Sequence, residues 1–438
     1  MKFKEWKEWY KSLPDSLRWF VWLVLLRPII DNFYYLKEVS PFLSPLNIVG
    51  VLTPIVIFFT LKKMKRPPQS NIDGNFRIYG GFVIAGIIVM SISGIALLPF
   101  WTVAIKITAI VYMFFFLRYF VRSKKDVDGL LQSFLYSSIV VICVFMFEMF
   151  VHPLNLVHSR GVERYQGSYA DVFNYATYVT LCTLINYYFL LSTNTSLSRN
   201  ARIRNVIINI VLGTAMLIKM SHVSTDVVFI ALNILYFLIA FKKNAVGALI
   251  FASILALIVY SYGKDTIDEK LMPLIQTDVD VASGEGDEAY YLHGRVGRWE
   301  RITEIFGNSS LLSQLFGMPF NGGLPFSFIT GGIHNDYIRN LICVGYVGLT
   351  FYLILLFNLF RRIIKDRLNM LYLGLGALGS LLLFSVSTVP TIYPAFMYVI
   401  LTVFAYFSIP ENVLRRQEME ERSKLLAAES VESSKLVA

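Results

Sequence analysis

The sequence predicts an all-α, polytopic integral membrane protein of about twelve transmembrane helices, with a large extracytoplasmic loop between the ninth and the tenth. Three observations carry this. The 438 residues are 55% hydrophobic and 16% charged, with mean hydropathy +0.57, whereas a soluble chain carries about 25% charged residues. The apolar residues come in blocks of about 18–22, the length that crosses a hydrocarbon core of about 30 Å. The basic residues alternate with those blocks. Of 40 Lys and Arg, 28 fall in the short segments 1–18, 62–77, 118–125, 199–204, 242–243, 361–367 and 415–435, the pattern of cytoplasmic loops.

The blocks place spans near 17–36, 45–61, 78–96, 99–120, 129–151, 172–192, 205–220, 224–241, 245–262, 336–360, 369–388 and 390–409. Twelve spans put both termini in the cytoplasm, and every basic segment then falls on that side. The N-terminal MKFKEWKEWYKSLPDSLRWF is basic and Trp-rich with no small-residue cleavage site. It reads as an interfacial segment leading into a retained first span, not as a signal peptide. The chain therefore divides into a membrane unit over 1–262, an outer loop over 263–335, a second membrane unit over 336–409 and a cytoplasmic tail over 410–438, the last read as a short solvated helix.

The net charge of +10 would raise nucleic acid as a partner for a soluble chain. Here the positive charges are accounted for by loops between spans, and nucleic acid is set aside. Cys143, Cys182 and Cys343 all lie in apolar blocks and read as small buried hydrophobes without a disulfide framework. The five histidines, His152, His158, His222, His293 and His334, all map to the outer side, and no pair has a metal-ligand spacing. No metal or cofactor is expected.

Charges inside the spans need partners. Arg27 and Asp31 are four apart and read as a structural ion pair on one helix face. Lys106, Glu148 and Arg339 lie near span ends and are expected to snorkel to the interface. Asp226 is expected to cap the eighth span.

The long outer loop holds ten acids against five bases, and loops of this length are functional or disordered. Its segment YLHGRVGRWERITEIF (291–306) is patterned. At 100° per residue Arg295, Trp299, Ile302 and Phe306 form one stripe, flanked by Arg298, Ile305 and Arg301, with Glu300 and Glu304 opposite. That is an amphipathic helix able to lie on the outer membrane surface. Its arginines either pair with the acids of the loop or, as planar fork donors beside the membrane, bind a lipid-linked phosphate or pyrophosphate. Downstream, LFGMPFNGGLPFSFITGGIHNDY (315–337) brings His334 to the mouth of the tenth span. His334 and Asn335 read either as cap and anchor or, for His334, as a general base, since neutral imidazole accepts a proton near pH 7.

These motifs together resemble the superfamily of O-antigen ligases and O-antigen polymerases. Arg295 and Trp299 match its Gly-Arg-x-x-x-Trp motif, Gly317 and Gly322 its Leu-Phe-Gly-x-x-x-x-Gly motif, and His334, Asn335 and Tyr337 its His-Asn-x-Tyr motif. Gly345 and Gly348 match its glycine-rich span. Arg164, Gly167, Asp171 and Asn174 match an Arg-x-x-Gly…Asp-x-x-Asn segment. One feature departs: where the family carries Ser-Arg at the outer start of a span, this chain has Ser224-Thr225, leaving Lys219, His222 or Arg164 to supply the charge.

The resemblance implies a glycosyltransferase in a bacterial cytoplasmic membrane, with an undecaprenyl-pyrophosphate-linked glycan as donor. Arg295 would bind the pyrophosphate, with Arg298, Arg164, Lys219 and His222 as further candidates. His334 would deprotonate the acceptor hydroxyl, and Trp299, Asn335 and Tyr337 would support the site. The implied partners are the lipid-linked donor, a glycan acceptor, membrane lipids, a flippase and a chain-length regulator. The favoured activity is polymerisation of surface polysaccharide repeats, with ligation to a lipid A core or protein as the alternative. A transporter predicts midplane charges, broken helices and repeats instead, and a scaffold does not require clustered Arg and His.

Overall fold

The computed structural model describes residues 2–40, 43–92, 97–159, 162–192, 198–240, 295–317, 332–365 and 370–417, with isolated positions between 264 and 284 and between 419 and 423. The expected ninth span, most of the acidic part of the outer loop, His293, Gly322 and the end of the tail lie outside the described residues. Among those described the chain is all-α apart from one two-stranded hairpin.

The helices in order are α1 (Phe3–Ser12), α2 (Asp15–Asn32), α3 (Leu36–Val39), α4 (Pro45–Lys63), α5 (Asn71–Ile92), α6 (Leu97–Phe120) and α7 (Lys124–Phe150). The hairpin follows, β1 (Leu156–Ser159) antiparallel to β2 (Val162–Tyr165). Then come α8 (Val172–Leu191), α9 (Arg199–Met220), α10 (Val223–Ala240), α11 (Arg295–Gly307), α12 (Leu311–Phe316), α13 (Asp336–Lys365), α14 (Leu371–Ser387), a 3-10 turn (Pro390–Ile392) and α15 (Pro394–Phe407). Polar residues start several of these. Asp171 accepts from the Asn174 N–H at 2.6 Å ahead of α8, and Ser198 caps α9. Proline begins α4 and α15, where its missing N–H costs nothing.

Among the described residues five helices are long and apolar enough to cross a membrane: α4, α7, α9, α10 and α13. A sixth is formed if α15 and the helix Glu411–Gln417, bent by 88° from it, count as one. α14 and α15 are apolar but shorter, while polar residues set α2 and α8 apart. α2 carries Asp15, Arg18, Arg27 and Asp31, and α8 is rich in Tyr, Thr and Asn. α8 and α15 are central, with almost every residue buried from Val172 to Leu190 and from Ala395 to Phe407. α4 is peripheral and exposes Val51, Leu52, Ile55, Phe58 and Phe59, while α10 exposes Val227, Ile230, Ile234 and Leu238. An outer belt of this size suits hydrocarbon, not water.

Hydrogen bonds define two ends. At one, α1 docks through Trp9 Nε1 on Asp126 and Trp6 Nε1 on Ser133, Arg118 pairs with Asp73 at 3.2 Å, and Arg122 bonds the Lys65 carbonyl. Gln417 also bonds the Arg122 carbonyl and Leu414 is buried, so the helix after α15 is docked on the bundle rather than freely solvated. The hairpin, the α9–α10 turn and the start of α13 gather at the other end.

Of the expectations for intramembrane charges, the Arg27–Asp31 pair holds and the others change. The Arg27–Asp31 pair forms at 2.6 Å, fully buried, and Tyr178 donates to the second Asp31 oxygen at 3.0 Å. Arg339 does not snorkel; it is 3% exposed and pairs with Asp336 at 3.2 Å. Glu148 is likewise buried, where its Oε1 accepts from the N–H groups of Gly167 and Leu154. Lys106 is half-buried, within α6. Asp226 is not the cap of α10: the His222 carbonyl accepts from the N–H groups of Thr225 and Asp226, and Asp226 lies within the first turn. For Arg339 and Glu148, burial among polar partners satisfies the group better than a long reach to the surface would.

Candidate functional site

Four segments converge at the hairpin end. The first is β2, where Arg164 pairs in register with Val157. Its base is held by Glu148 through the Gly167 N–H, and Gly167 has φ +59°, which a Cβ would strain. The second is the start of α8. Asp171 caps the helix with one oxygen and accepts the Tyr393 hydroxyl with the other. Burial pushes the Asp171 carboxyl up, opposed by the hydrogen bonds from Tyr393 and Asn174 that favour its charged form. Phe173 then packs edge-on to Tyr393 at 4.8 Å and against the His222 ring at 5.4 Å.

The third segment is the α9–α10 turn. Ser221 takes a left-handed conformation, φ 46°, which ends α9 and presents His222. The ring Nδ1 lies 3.1 Å from the Ser224 hydroxyl and 3.4 Å from that of Thr225, which fixes the imidazole. The fourth is the pair of chain segments that brings α11 against residues 332–336. Ile302 and Phe306 of α11 are buried with Ile333 and Ile342, and Trp299, Ile305, Ile338 and Leu341 pack around them. The apolar stripe predicted for the membrane surface is therefore covered by protein. Trp299 Nε1 donates to the Ile333 carbonyl at 2.7 Å, which ties the helix bearing Arg295 to the residue before His334.

His334 is clamped on both sides. Ile333 is held by Trp299, and Asn335 caps α13 by accepting from the Ile338 N–H at 3.0 Å while donating to the Val386 carbonyl. Between them His334 has φ 49°, a conformation that costs a β-substituted residue of order 1 kcal/mol or more. Tyr337 packs inward with its hydroxyl on the Leu382 carbonyl. These placements make Asn335 and Tyr337 supports, with their polar atoms committed to the fold.

The four segments share one electrostatic field. Burial lowers the His222 imidazole, and the positive charges of Arg164, Arg295 and His334 lower it further, to about 3. His222 is thus neutral throughout the physiological range and sits among two guanidinium groups and a second imidazole. Arg164 also faces Asp226. Of the remaining candidates, Arg298 is exposed on α11, and Lys219 is exposed at the end of α9 with its Nζ 5.7 Å from the Tyr165 ring centre. Neither is among the groups acting on His222.

Glycine positions explain how α11 and α12 are held. α13 is broken at Gly345, φ 68° and ψ −176°. A Cβ there would lie 2.4 Å from the Leu315 carbonyl carbon and oxygen, and one on Gly317 would lie 2.5 Å from the Cys343 carbonyl oxygen. Backbone thus meets backbone where α12 enters the break. Sequence reading missed the Asp171–Tyr393 bond, the Glu148 anchor and the Ile333 carbonyl as the indole's partner. The Asp-x-x-Asn spacing signals only the cap of Asp171 on the Asn174 N–H; all three missed contacts are long-range and leave no local trace. Neither a family model nor a curated protein matches the chain.

Proposed function

We propose that the chain crosses a bacterial cytoplasmic membrane twelve times, with both termini inside, and joins glycan units at the outer face. The donor is a glycan on undecaprenyl pyrophosphate and the acceptor a sugar hydroxyl on another lipid-linked repeat, so that a surface polysaccharide grows. The observation that carries this reading is the Trp299 bond to the Ile333 carbonyl, which ties the helix of Arg295 to His334, at the end of the bundle where Arg164 and His222 act in the same electrostatic field. Two planar fork donors suit a pyrophosphate.

In the reaction the acceptor oxygen attacks the anomeric carbon, its proton passes to His334, and the bond from that carbon to the pyrophosphate oxygen breaks. Arg295 and Arg164 neutralise the departing charge, so the energetic burden is positioning and electrostatic stabilisation. His222 has no charge of its own to add and orients the phosphate by hydrogen bonding. Direct displacement inverts the anomeric configuration. His334 is suited to the base because its strained backbone is held from both sides, and strain of this kind is retained where it is functional.

The test is purified protein with lipid-linked repeat units and no added metal or nucleotide. Wild type is expected to lengthen the glycan, with loss of at least about 10²-fold on His334→Ala and on Arg295→Ala. An unchanged product ladder in both variants would refute the site. Transfer that appears only on adding a lipid A core acceptor would replace polymerisation by ligation.

A further inference from the structure

The apolar stripe of α11 is covered by Ile333, Ile338 and Ile342 and is not free to rest on a membrane. The short helix after it has the opposite polarity. Leu311 and Leu312 of α12 are 70% and 72% exposed, and Phe316 is also exposed. Its one long polar side chain turns the other way: the half-buried Gln314 donates through Nε2 to the carbonyls of Gly307 and Ser309. From Gly307 to Gly317 no side chain is charged, whereas α11 exposes Arg298, Glu300, Arg301 and Glu304. A helix with its amide turned inward and its leucines outward is unsuited to water.

The depth of α12 is set by α13. Leu315 and Gly317 meet Gly345 and Cys343 backbone to backbone at the break. The exposed Arg361, which opens the basic end of α13, lies sixteen residues beyond Gly345, about 24 Å at about 1.5 Å per residue. A hydrocarbon core is about 30 Å thick. With Arg361 at the cytoplasmic boundary, the break therefore lies inside the core, below its outer edge. α12 has six residues and is about 9 Å long, so no part of it rises far beyond that edge. Its apolar surface is also continuous with the flank of the bundle. The Phe316 ring stacks on Phe82 of α5 at 6.2 Å, and Phe82 on Phe351 of α13 at 5.6 Å. Tyr346 and Leu353 are exposed along the same stretch of α13.

We propose that Leu311, Leu312 and Phe316 are embedded among the acyl chains of the outer leaflet, so that α12, and not α11, holds the outer loop to the membrane. The partner is lipid hydrocarbon, bound by apolar burial without recognition of a headgroup. This rests on the reading of α13 as a membrane span and not on the chemistry of the site. α12 is joined through Asn308–Ser310 to α11, so the leaflet fixes the height at which Arg295 and Trp299 stand.

The experiment is nitroxide labelling of the full chain in phosphatidylglycerol and phosphatidylcholine nanodiscs, in a Cys143→Ser background that removes the exposed thiol and serves unlabelled as the blank. Labels at Leu312→Cys, Glu300→Cys and Leu353→Cys are measured for collision with oxygen, which concentrates among acyl chains, and with a water-soluble nickel chelate. Leu312→Cys is expected to favour oxygen and to report a depth about 5–10 Å below the phosphates, with Leu353→Cys deeper and Glu300→Cys open to nickel. Equal nickel access at Leu312→Cys and Glu300→Cys would overturn the proposal. So would a label at Leu312→Cys that neither reagent reaches, which means protein covers it, or dipolar broadening there that dilution with unlabelled chain removes, which means a second copy does. Nickel access at Leu353→Cys as well would overturn the span together with the proposal; nickel access at Leu312→Cys alone would leave the span standing. All three replaced side chains are exposed, so the variants are expected to fold, and the readout requires no glycan.

Discussion

Gly345→Ala tests how the outer helices are held to the bundle. Gly345 occupies φ 68°, ψ −176°, a region open to glycine and costing other residues about 1–3 kcal/mol. Its new Cβ would also lie 2.4 Å from the Leu315 carbonyl carbon and oxygen and 2.5 Å from the Phe316 nitrogen. These are backbone atoms, which cannot turn aside as a side chain can. Relief to an ordinary contact requires α12 to withdraw by about 1 Å, and together the terms destabilise the junction by about 3 kcal/mol or more. α12 is joined to α11 through Asn308–Ser310, so the displacement is transmitted to Arg295 and Trp299. A misplacement of that size costs about 10²-fold in rate. The assay is glycan elongation alongside thermal melting in the same detergent. Gly297→Ala is the control: nothing lies within 4 Å of its Cβ position, and it should keep activity and gain about 0.5–1 kcal/mol. Wild-type elongation and melting in Gly345→Ala would show that α12 is not seated in the break as described.

Three further outcomes follow from the site. Trp299→Phe leaves the Ile333 carbonyl without its donor, at about 1–3 kcal/mol, and should reduce elongation about tenfold or more while the main bundle melts nearly as before; unchanged elongation would remove Trp299 from the positioning of His334. Tyr393→Phe strips the hydroxyl from the buried Asp171 carboxylate, and melting should fall by a similar amount, with the double variant Asp171→Asn, Tyr393→Phe losing less than the two single effects added. His222 takes a proton near 3 in the fold against 6.5 in the unfolded chain, so the unfolded state binds more protons between those values and stability falls as pH drops through that window. Melting of wild type and His222→Gln compared from pH 7 to pH 4 should show the steeper acid decline in wild type; parallel curves would count against a neutral buried His222.

Some span boundaries were legible because they depend on local quantities. The fourth helix begins at Pro45 and ends at Lys63 where the apolar block read 45–61, and α13 begins at Asp336 as read. Hydropathy and the length of a bilayer constrain such segments directly. The stripe of Arg295, Trp299, Ile302 and Phe306 was legible for the same reason, since helical periodicity places those residues on one face. What covers the stripe was not. Periodicity cannot distinguish a lipid surface from Ile333, Ile338 and Ile342, which lie far along the chain.

The sequence by itself determined an all-α chain of long apolar helices with its basic residues at one set of turns, because burial, length and charge act residue by residue. It also marked Arg295, His334, Arg164 and His222 as unusual among the connections between apolar blocks. Only the tertiary structure decided that these four share one field, that Lys219 and Arg298 are exposed, with Lys219 over the Tyr165 ring, and that Arg339 is buried against Asp336 instead of reaching the surface. The physical reason is that the shared field relates segments separated by tens to hundreds of residues, and that burial of the i,i+3 pair Asp336–Arg339 is set by what packs over it. The break at Gly345, the left-handed His334 and the hairpin carrying Arg164 bring them together, and their effect depends on what packs opposite them.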